Sequence, residues 1–224
     1  MPKRRTLQAK RKVLLVDDHP LTRHGMAQLI GQQPDLMVCG EAGNAEQALE
    51  SLRAVDPDLV LVDVTLPGKP GLELIKDITT MHAEVLVLVV SMHDESLYAE
   101  RTLRAGARGY LMKSKGGEEL IKAIRQVLSG KVYVSQELSA KILDSLSGGG
   151  RKLPGVLNAL SDREFEVFQL VGEGLTTSEI GLRLHISGKT VETHRLRIRE
   201  KLGLRNPPEL TKYAVRWAGA QELI

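Results

Sequence analysis

The sequence predicts two domains of different class, an α/β domain followed by an all-α one, and three observations carry that prediction. Five short aliphatic segments alternate with stretches of helical periodicity up to Gly130, glycines cluster at Ser147-Gly148-Gly149-Gly150, and strand signals cease after Leu160. Alternating strands and amphipathic helices specify a parallel sheet covered on both faces, and uninterrupted apolar runs suit strands buried on both sides.

The strand segments are Lys12–Val16, Leu36–Cys39, Leu59–Val62, Val85–Val90 and Gly109–Met112. Helical spacing recurs between them in Leu21, Met26, Leu29 and Ile30, in Ala48, Leu49 and Leu52, in Leu72, Leu74, Ile75 and Ile78, and in Leu120, Ile121, Ile124 and Leu128. The single cysteine, Cys39, forms no intrachain disulfide and is expected to be a buried strand residue. Beyond Gly130 a helix is expected from Ser135 to Leu146, and the glycines after it form a linker. The expected organisation is a basic tail over 1–11, an α/β domain over 12–130, a helix and linker over 131–156, and a helical domain over 157–224.

In the last segment Ser161-Asp162-Arg163-Glu164 has the form of a capping box and opens a helix carrying Phe165, Val167, Phe168, Leu170 and Val171. A second helix, Thr177 to Leu184, is expected to bury Ile180, Leu182 and Leu184. After the turn His185-Ile186-Ser187 a third runs to Lys201, and Pro207-Pro208 opens a fourth with Leu210, Tyr213, Ala214 and Trp217.

With 42% hydrophobic and 26% charged residues the chain is neither disordered nor a membrane protein, and its longest aliphatic run, Val85 to Val90, is too short to cross a bilayer. Val13 to Val16 runs straight into Asp17 and Asp18, so no signal peptide is expected and the chain is placed in the cytoplasm. Charge is uneven under the net +3: six basic residues and no acids occupy 1–12, thirteen basic face nineteen acidic between 13 and 150, and twelve face nine in 151–224. An acidic half joined to a basic half fits a cation-binding or regulatory domain coupled to one that binds a polyanion.

In open α/β sheets ligands bind beyond the carboxyl ends of the strands, where the strand order reverses. Asp17 and Asp18 end the first strand, Asp63 the third, Ser91 follows the fourth and Lys113 the fifth. Three converging carboxylates repel one another unless a hard divalent cation sits among them, and magnesium suits such oxygen ligands. A carboxylate beside that ion can attack phosphorus, giving an acyl phosphate neutralised by the metal and by Lys113.

The segments Val13-Leu14-Leu15-Val16-Asp17-Asp18-His19, Leu61-Val62-Asp63-Val64-Thr65-Leu66-Pro67-Gly68, Val89-Val90-Ser91-Met92-His93 and Gly109-Tyr110-Leu111-Met112-Lys113 together resemble the receiver domain of bacterial response regulators. The resemblance implies a five-stranded, doubly wound, flavodoxin-like sheet of order 2-1-3-4-5. It further implies that Asp63 accepts phosphate from a sensor histidine kinase and that Asp17, Asp18, Asp63 and the carbonyl of Thr65 hold Mg2+. Ser91 would hydrogen-bond the phosphoryl group and Tyr110 would swing inward behind it. His93 is read as a solvated loop residue, and His19 and His24 miss the one-turn spacing of paired helical metal ligands. A phosphatase of the haloacid-dehalogenase type places a second carboxylate two positions after the first; Thr65 stands there, so turnover of an external substrate is not expected.

The segments around Ser161–Glu164, Glu173–Ile180, Ile186–His194 and Lys201–Leu204 resemble the LuxR-type helix-turn-helix, and with a receiver before it the whole chain resembles the NarL/FixJ class of regulators. At about 100° per residue Val191, Ile198 and Leu202 share one face of the third helix, while Lys189, Thr193, Leu196 and Glu200 point away, flanked by Glu192 and Arg197. That outward face is expected to enter the major groove of double-stranded DNA. Glu192 can accept from a cytosine amino group, Arg197 can donate to guanine or phosphate, and Thr193 and Leu196 can meet a thymine methyl. Lys189, Thr190, His194, Lys201 and Arg205 are placed as phosphate contacts. Phosphorylation is expected to release the basic domain, to promote a homodimer, or both.

Overall fold

The computed structural model describes residues 9–140 and 157–221, which fall into two compact units, one in each stretch. In the first, strands β1 (Arg11–Val16), β2 (Leu36–Ala42), β3 (Leu59–Val62), β4 (Leu86–Ser91) and β5 (Gly109–Met112) form one parallel sheet of order β2-β1-β3-β4-β5. Helices α1 (Pro20–Gly31), α2 (Ala45–Val55), α3 (Gly71–Met81), α4 (Glu95–Arg104) and α5 (Gly117–Leu128) connect and cover it.

Strand alternation decides which helix each side chain meets. Val13, Leu15, Leu59 and Leu61 share one core with Met26 and Ile30 of α1 and Leu120 and Ile124 of α5. The intervening Leu14, Val16, Val60 and Val62 are equally buried and point to the opposite face, where α2, α3 and α4 pack. Each such side chain contributes about 1.5–3 kcal/mol on burial, so β3, buried along its whole length, is a rigid support for the residue that follows it, Asp63.

The expected strand and helix order is observed, with local differences that follow from position. Because β2 is an edge strand, Cys39 is half-buried rather than buried and Met37 is exposed. Leu21, counted with the apolar face of α1, is 88% exposed. The chain after Gly130 is tied to the sheet: the N–H of Tyr110 donates to the carbonyl of Tyr133 at 2.9 Å, and that of Tyr133 to Arg108 at 3.0 Å. Gly109 permits this pairing, since a Cβ there would lie 2.7 Å from the Tyr133 carbonyl. Residues 136–140 are helical. The remainder of the helix expected to Leu146, the Ser147–Gly150 linker and the tail over 1–8 lie outside the described residues.

The second unit has helices α6 (Asp162–Gly172), α7 (Thr177–Leu184), α8 (Gly188–Leu202) and α9 (Pro207–Gln221). Ser161 and Glu164 form the expected capping box on α6, and Thr176 with Glu179 forms a second on α7. His185 ends α7 in the left-handed region, turning the chain into α8, which Ser187 caps. Phe165 and Phe168 of α6 pack against Trp217 of α9 with ring centroids 5.7 and 5.3 Å apart. Ile180 and Leu184 are buried, but Leu182, expected to join them, is 77% exposed: two residues from Ile180 is about 200° around the helix.

Candidate functional site

The order of the sheet reverses at β1, which lies between β2 and β3, so the carboxyl ends of β1 and β3 open onto a common crevice. Asp17 and Asp18 follow β1 there and Asp63 follows β3. Asp17 and Asp63 are buried, and the ammonium of Lys113, just after β5, reaches both: 2.7 Å to Asp17 Oδ2 and 2.5 Å to Asp63 Oδ2. Burial pulls the Lys113 pKa down, but the charge of Asp63 and the hydrogen bonds Lys113 donates to Asp17 and Asp63 outweigh it, so the net shift is upward and the ammonium form persists.

One ligand atom from each of Asp17, Asp18, His19 and Asp63 lies within 4.8 Å of the others, a cluster consistent with a metal site. Asp17 Oδ2, 2.7 Å from the Lys113 ammonium, and Asp18 Oδ1, 2.6 Å from His19 Nδ1, are shielded from solvent and have no further hydrogen-bond partner among the described residues. Buried oxygens left in this state suit a cation with oxygen ligands. His19, to which the sequence assigned no metal, belongs to this cluster, with Nδ1 2.6 Å from Asp18 Oδ1.

Four further residues shape the rim. Thr65 N–H donates to Asp63 Oδ1 at 3.3 Å, and the Thr65 hydroxyl meets His93 Nε2 at 2.8 Å. His93 also stacks on Tyr98, so it is an ordered wall of the pocket and not the solvated loop residue expected from sequence. Ser91 is wholly buried at the end of β4. Tyr110 already points inward, its hydroxyl donating to the His93 carbonyl at 3.0 Å, and burial pushes its phenol well above the ordinary value. The loop α3 springs from comes equally close: a Cβ on Gly71 would lie 2.1 Å from the Asp63 carbonyl.

In the helical unit the outward face of α8 is as expected. Lys189, Thr190, Glu192, Thr193, Leu196, Arg197 and Glu200 are exposed, whereas Val191 and Ile198 are wholly buried. Arg205 is exposed in the turn after α8. Two of the expected contacts have other engagements. His194 is half-buried, and Lys201 Nζ lies 2.6 Å from Glu164 Oε2, tying α8 to the cap of α6. Sequence reasoning also missed Arg163, which donates to Glu166 at 2.7 Å and to the Leu184 carbonyl at 2.8 Å, closing the end of α7. The Arg163–Glu166 pair lies within α6 at i,i+3 spacing, whereas Lys201–Glu164 and Arg163–Leu184 join separate helices, so only the capping-box spacing hinted at them.

A doubly wound sheet with an acidic pocket at its reversal point, in one chain with a helix-turn-helix, defines the class of response-regulator transcription factors. Residues 13–125 match the response regulator receiver domain and residues 158–214 match the bacterial regulatory proteins of the LuxR family. The chain is 36% identical over 199 residues to the nitrate/nitrite response regulator protein NarL of Escherichia coli, covering 88% of this chain and 91% of that one. It is 32% identical over 210 residues to the oxygen regulatory protein NreC of Staphylococcus aureus, covering 92% and 97%. RcsB of Salmonella enterica serovar Typhimurium, solved bound to promoter rprA in the presence of phosphomimetic BeF3−, superposes with a TM-score of 0.62 at 26% identity, over 92% of this chain and 99% of that one. The protein belongs to the NarL family of DNA-binding two-component response regulators, and it regulates transcription rather than catalysing a reaction on an external substrate.

Proposed function

We propose that Asp63 is the phosphoacceptor and that its phosphorylation by a sensor histidine kinase controls DNA binding by α8. The observation that carries this reading is the placement of Lys113 between two buried carboxylates, Asp17 and Asp63, at the reversal point of the sheet. An Asp63 carboxylate oxygen attacks the phosphorus of a phosphohistidine, the new O–P bond forms as the P–N bond breaks, and the electron pair leaves on the imidazole nitrogen. Asp17, Asp18, Asp63 and the Thr65 carbonyl would hold Mg2+, which would neutralise charge on the phosphoryl oxygens. Lys113 is positioned to pair with another of those oxygens, and Ser91 to donate to a third.

The charge so formed shifts an equilibrium of the Ser91–His93 loop and favours the DNA-binding form, with a homodimer placing two copies of α8 about one helical turn apart on double-stranded DNA. Lys189, Thr190, Arg197 and Arg205 supply phosphate contacts, and Glu192, Thr193 and Leu196 face base edges. His194 and Lys201 support α8 in addition to any phosphate contact, because one is half-buried and the other paired. No helix among the described residues is long and apolar enough to cross a membrane, and a cytoplasmic site of action follows from the DNA target. Incubation with radiolabelled acetyl phosphate and Mg2+ tests the acceptor: labelling is expected in the unaltered chain and absent in Asp63→Asn. Equal labelling of the two would move the acceptor elsewhere.

A further inference from the structure

Glu192 presents a difficulty for a helix face that approaches a polyanion. It is an acid in the second turn of α8, 60% exposed, among residues proposed to meet DNA. An unpaired carboxylate there weakens binding through repulsion from phosphates. The local geometry removes that repulsion and leaves an acceptor behind. Thr177, the first residue of α7, donates its hydroxyl to Glu192 Oε1 at 2.5 Å. The same hydroxyl accepts from Arg195 NH1 at 3.1 Å, and that nitrogen lies 3.8 Å from Glu192 Oε1. A threonine hydroxyl has one hydrogen to give and lone pairs to receive, so both bonds coexist. The three side chains form a cluster of zero net charge across the α7–α8 turn. Oε1 is occupied by it, and no hydrogen bond reaches Oε2 among the described residues.

We propose that Thr177, Glu192 and Arg195 act as one base-reading head that selects cytosine, with Glu192 Oε2 making the contact and Thr177 and Arg195 positioning it. The inference rests on the reading that α8 enters the major groove. An ionised carboxylate can only accept, and the base edges sort themselves accordingly. Guanine shows two acceptors there and thymine shows one beside its methyl group, so both repel Oε2. Adenine offers an amino group but sets the N7 acceptor next to it. Cytosine offers an amino donor with no acceptor on its own major-groove edge, the nearest being O6 of the paired guanine. Anchoring of Oε1 fixes the direction of Oε2 before DNA arrives, so less side-chain freedom is lost on contact.

Selection of randomised duplexes by the full chain, treated with beryllofluoride and Mg2+, tests the proposal in the unaltered protein and in Glu192→Ala, Glu192→Gln, Thr177→Val and Arg197→Ala. The unaltered pool is expected to fix one C·G pair that Glu192→Ala releases, its preference falling about 5- to 150-fold while other positions keep theirs. Glu192→Gln, which preserves volume and an acceptor for Thr177, is expected to move the preference toward adenine. Thr177→Val is expected to lower the cytosine preference by a smaller factor without altering the rest of the site. Identical pools for the unaltered chain and Glu192→Ala, or a uniform loss across all sequences, would overturn the proposal. Arg197→Ala separates that failure from the failure of the underlying reading: if it too leaves pool and affinity unchanged, α8 is not in the groove.

Discussion

The carboxylate of Glu95, in the first turn of α4, accepts the backbone N–H of Ser135 at 2.8 Å. Ser135 in turn caps the following helical residues through its hydroxyl, which accepts from the Leu138 N–H at 3.0 Å. Tyr110 closes a circuit between the same segments: its hydroxyl bonds the His93 carbonyl and its N–H the Tyr133 carbonyl. The loop after Ser91 and the segment leaving the first unit are therefore tied together at two points. A hydrogen bond to a charged group is worth about 1.5–3 kcal/mol, so Glu95→Ala should speed amide exchange at Ser135 and Leu138 about ten- to hundredfold. Beryllofluoride with Mg2+ should produce acceleration of the same residues in the unaltered chain. Unchanged exchange under both treatments would show that the tie plays no part in the switch.

Lys113→Met removes the cation from between two buried carboxylates. Breaking a buried pair in this way costs about 3–5 kcal/mol, because the remaining charges keep their desolvation penalty without compensation. The thermal midpoint in chelator should fall, and Mg2+ should restore more stability to the variant than to the unaltered chain. Equal Mg2+ effects in the two would contradict placement of the ion beside Asp63.

A methyl group at Gly71 meets the Asp63 carbonyl. Gly71→Ala must push α3 or the end of β3 aside, and overpacking of this kind costs about 1–3 kcal/mol. Urea midpoints should drop accordingly, and acetyl phosphate labelling should slow because Asp63 itself is displaced. Normal labelling in a destabilised variant would separate the packing role from the site.

His194 gives the second unit a pH dependence. Burial first, then the Arg163 guanidinium with help from Arg197 and against Glu164, holds its imidazole below the ordinary value. The unfolded chain takes up a proton near about pH 6.5 while the folded chain still resists it. The stability from neutral His194 is therefore complete above that pH and is lost as pH falls through the folded value. His194→Gln should flatten this part of the profile in urea titrations followed by Trp217 fluorescence; a profile unchanged by the substitution would assign the acid sensitivity to another group.

Much of the fold was legible because its signals are local. Runs such as Leu59–Val62 specify buried strands, and the acids at their ends declare a pocket once three strand ends converge. Leu182 and Leu21 depart from expectation because an apolar residue can be counted into a loose helical pattern while its side chain points away from the buried face. Cys39 was misjudged because nothing local marks β2 as the edge of the sheet. The ties of His93 to Thr65, Lys201 to Glu164 and Glu95 to Ser135 were not legible: each joins separate elements, and only the packing of those elements makes the side chains neighbours.

The central claim is that charge gained at Asp63 controls DNA binding, and fluorescence anisotropy on a selected duplex measures it most directly. Affinity is read with and without beryllofluoride and Mg2+, for the unaltered chain and for Asp63→Asn. Tightening of about tenfold or more is expected in the unaltered chain and none in the variant. Equal affinity in all four conditions would contradict the claim and leave a DNA-binding protein whose acidic pocket does not govern it.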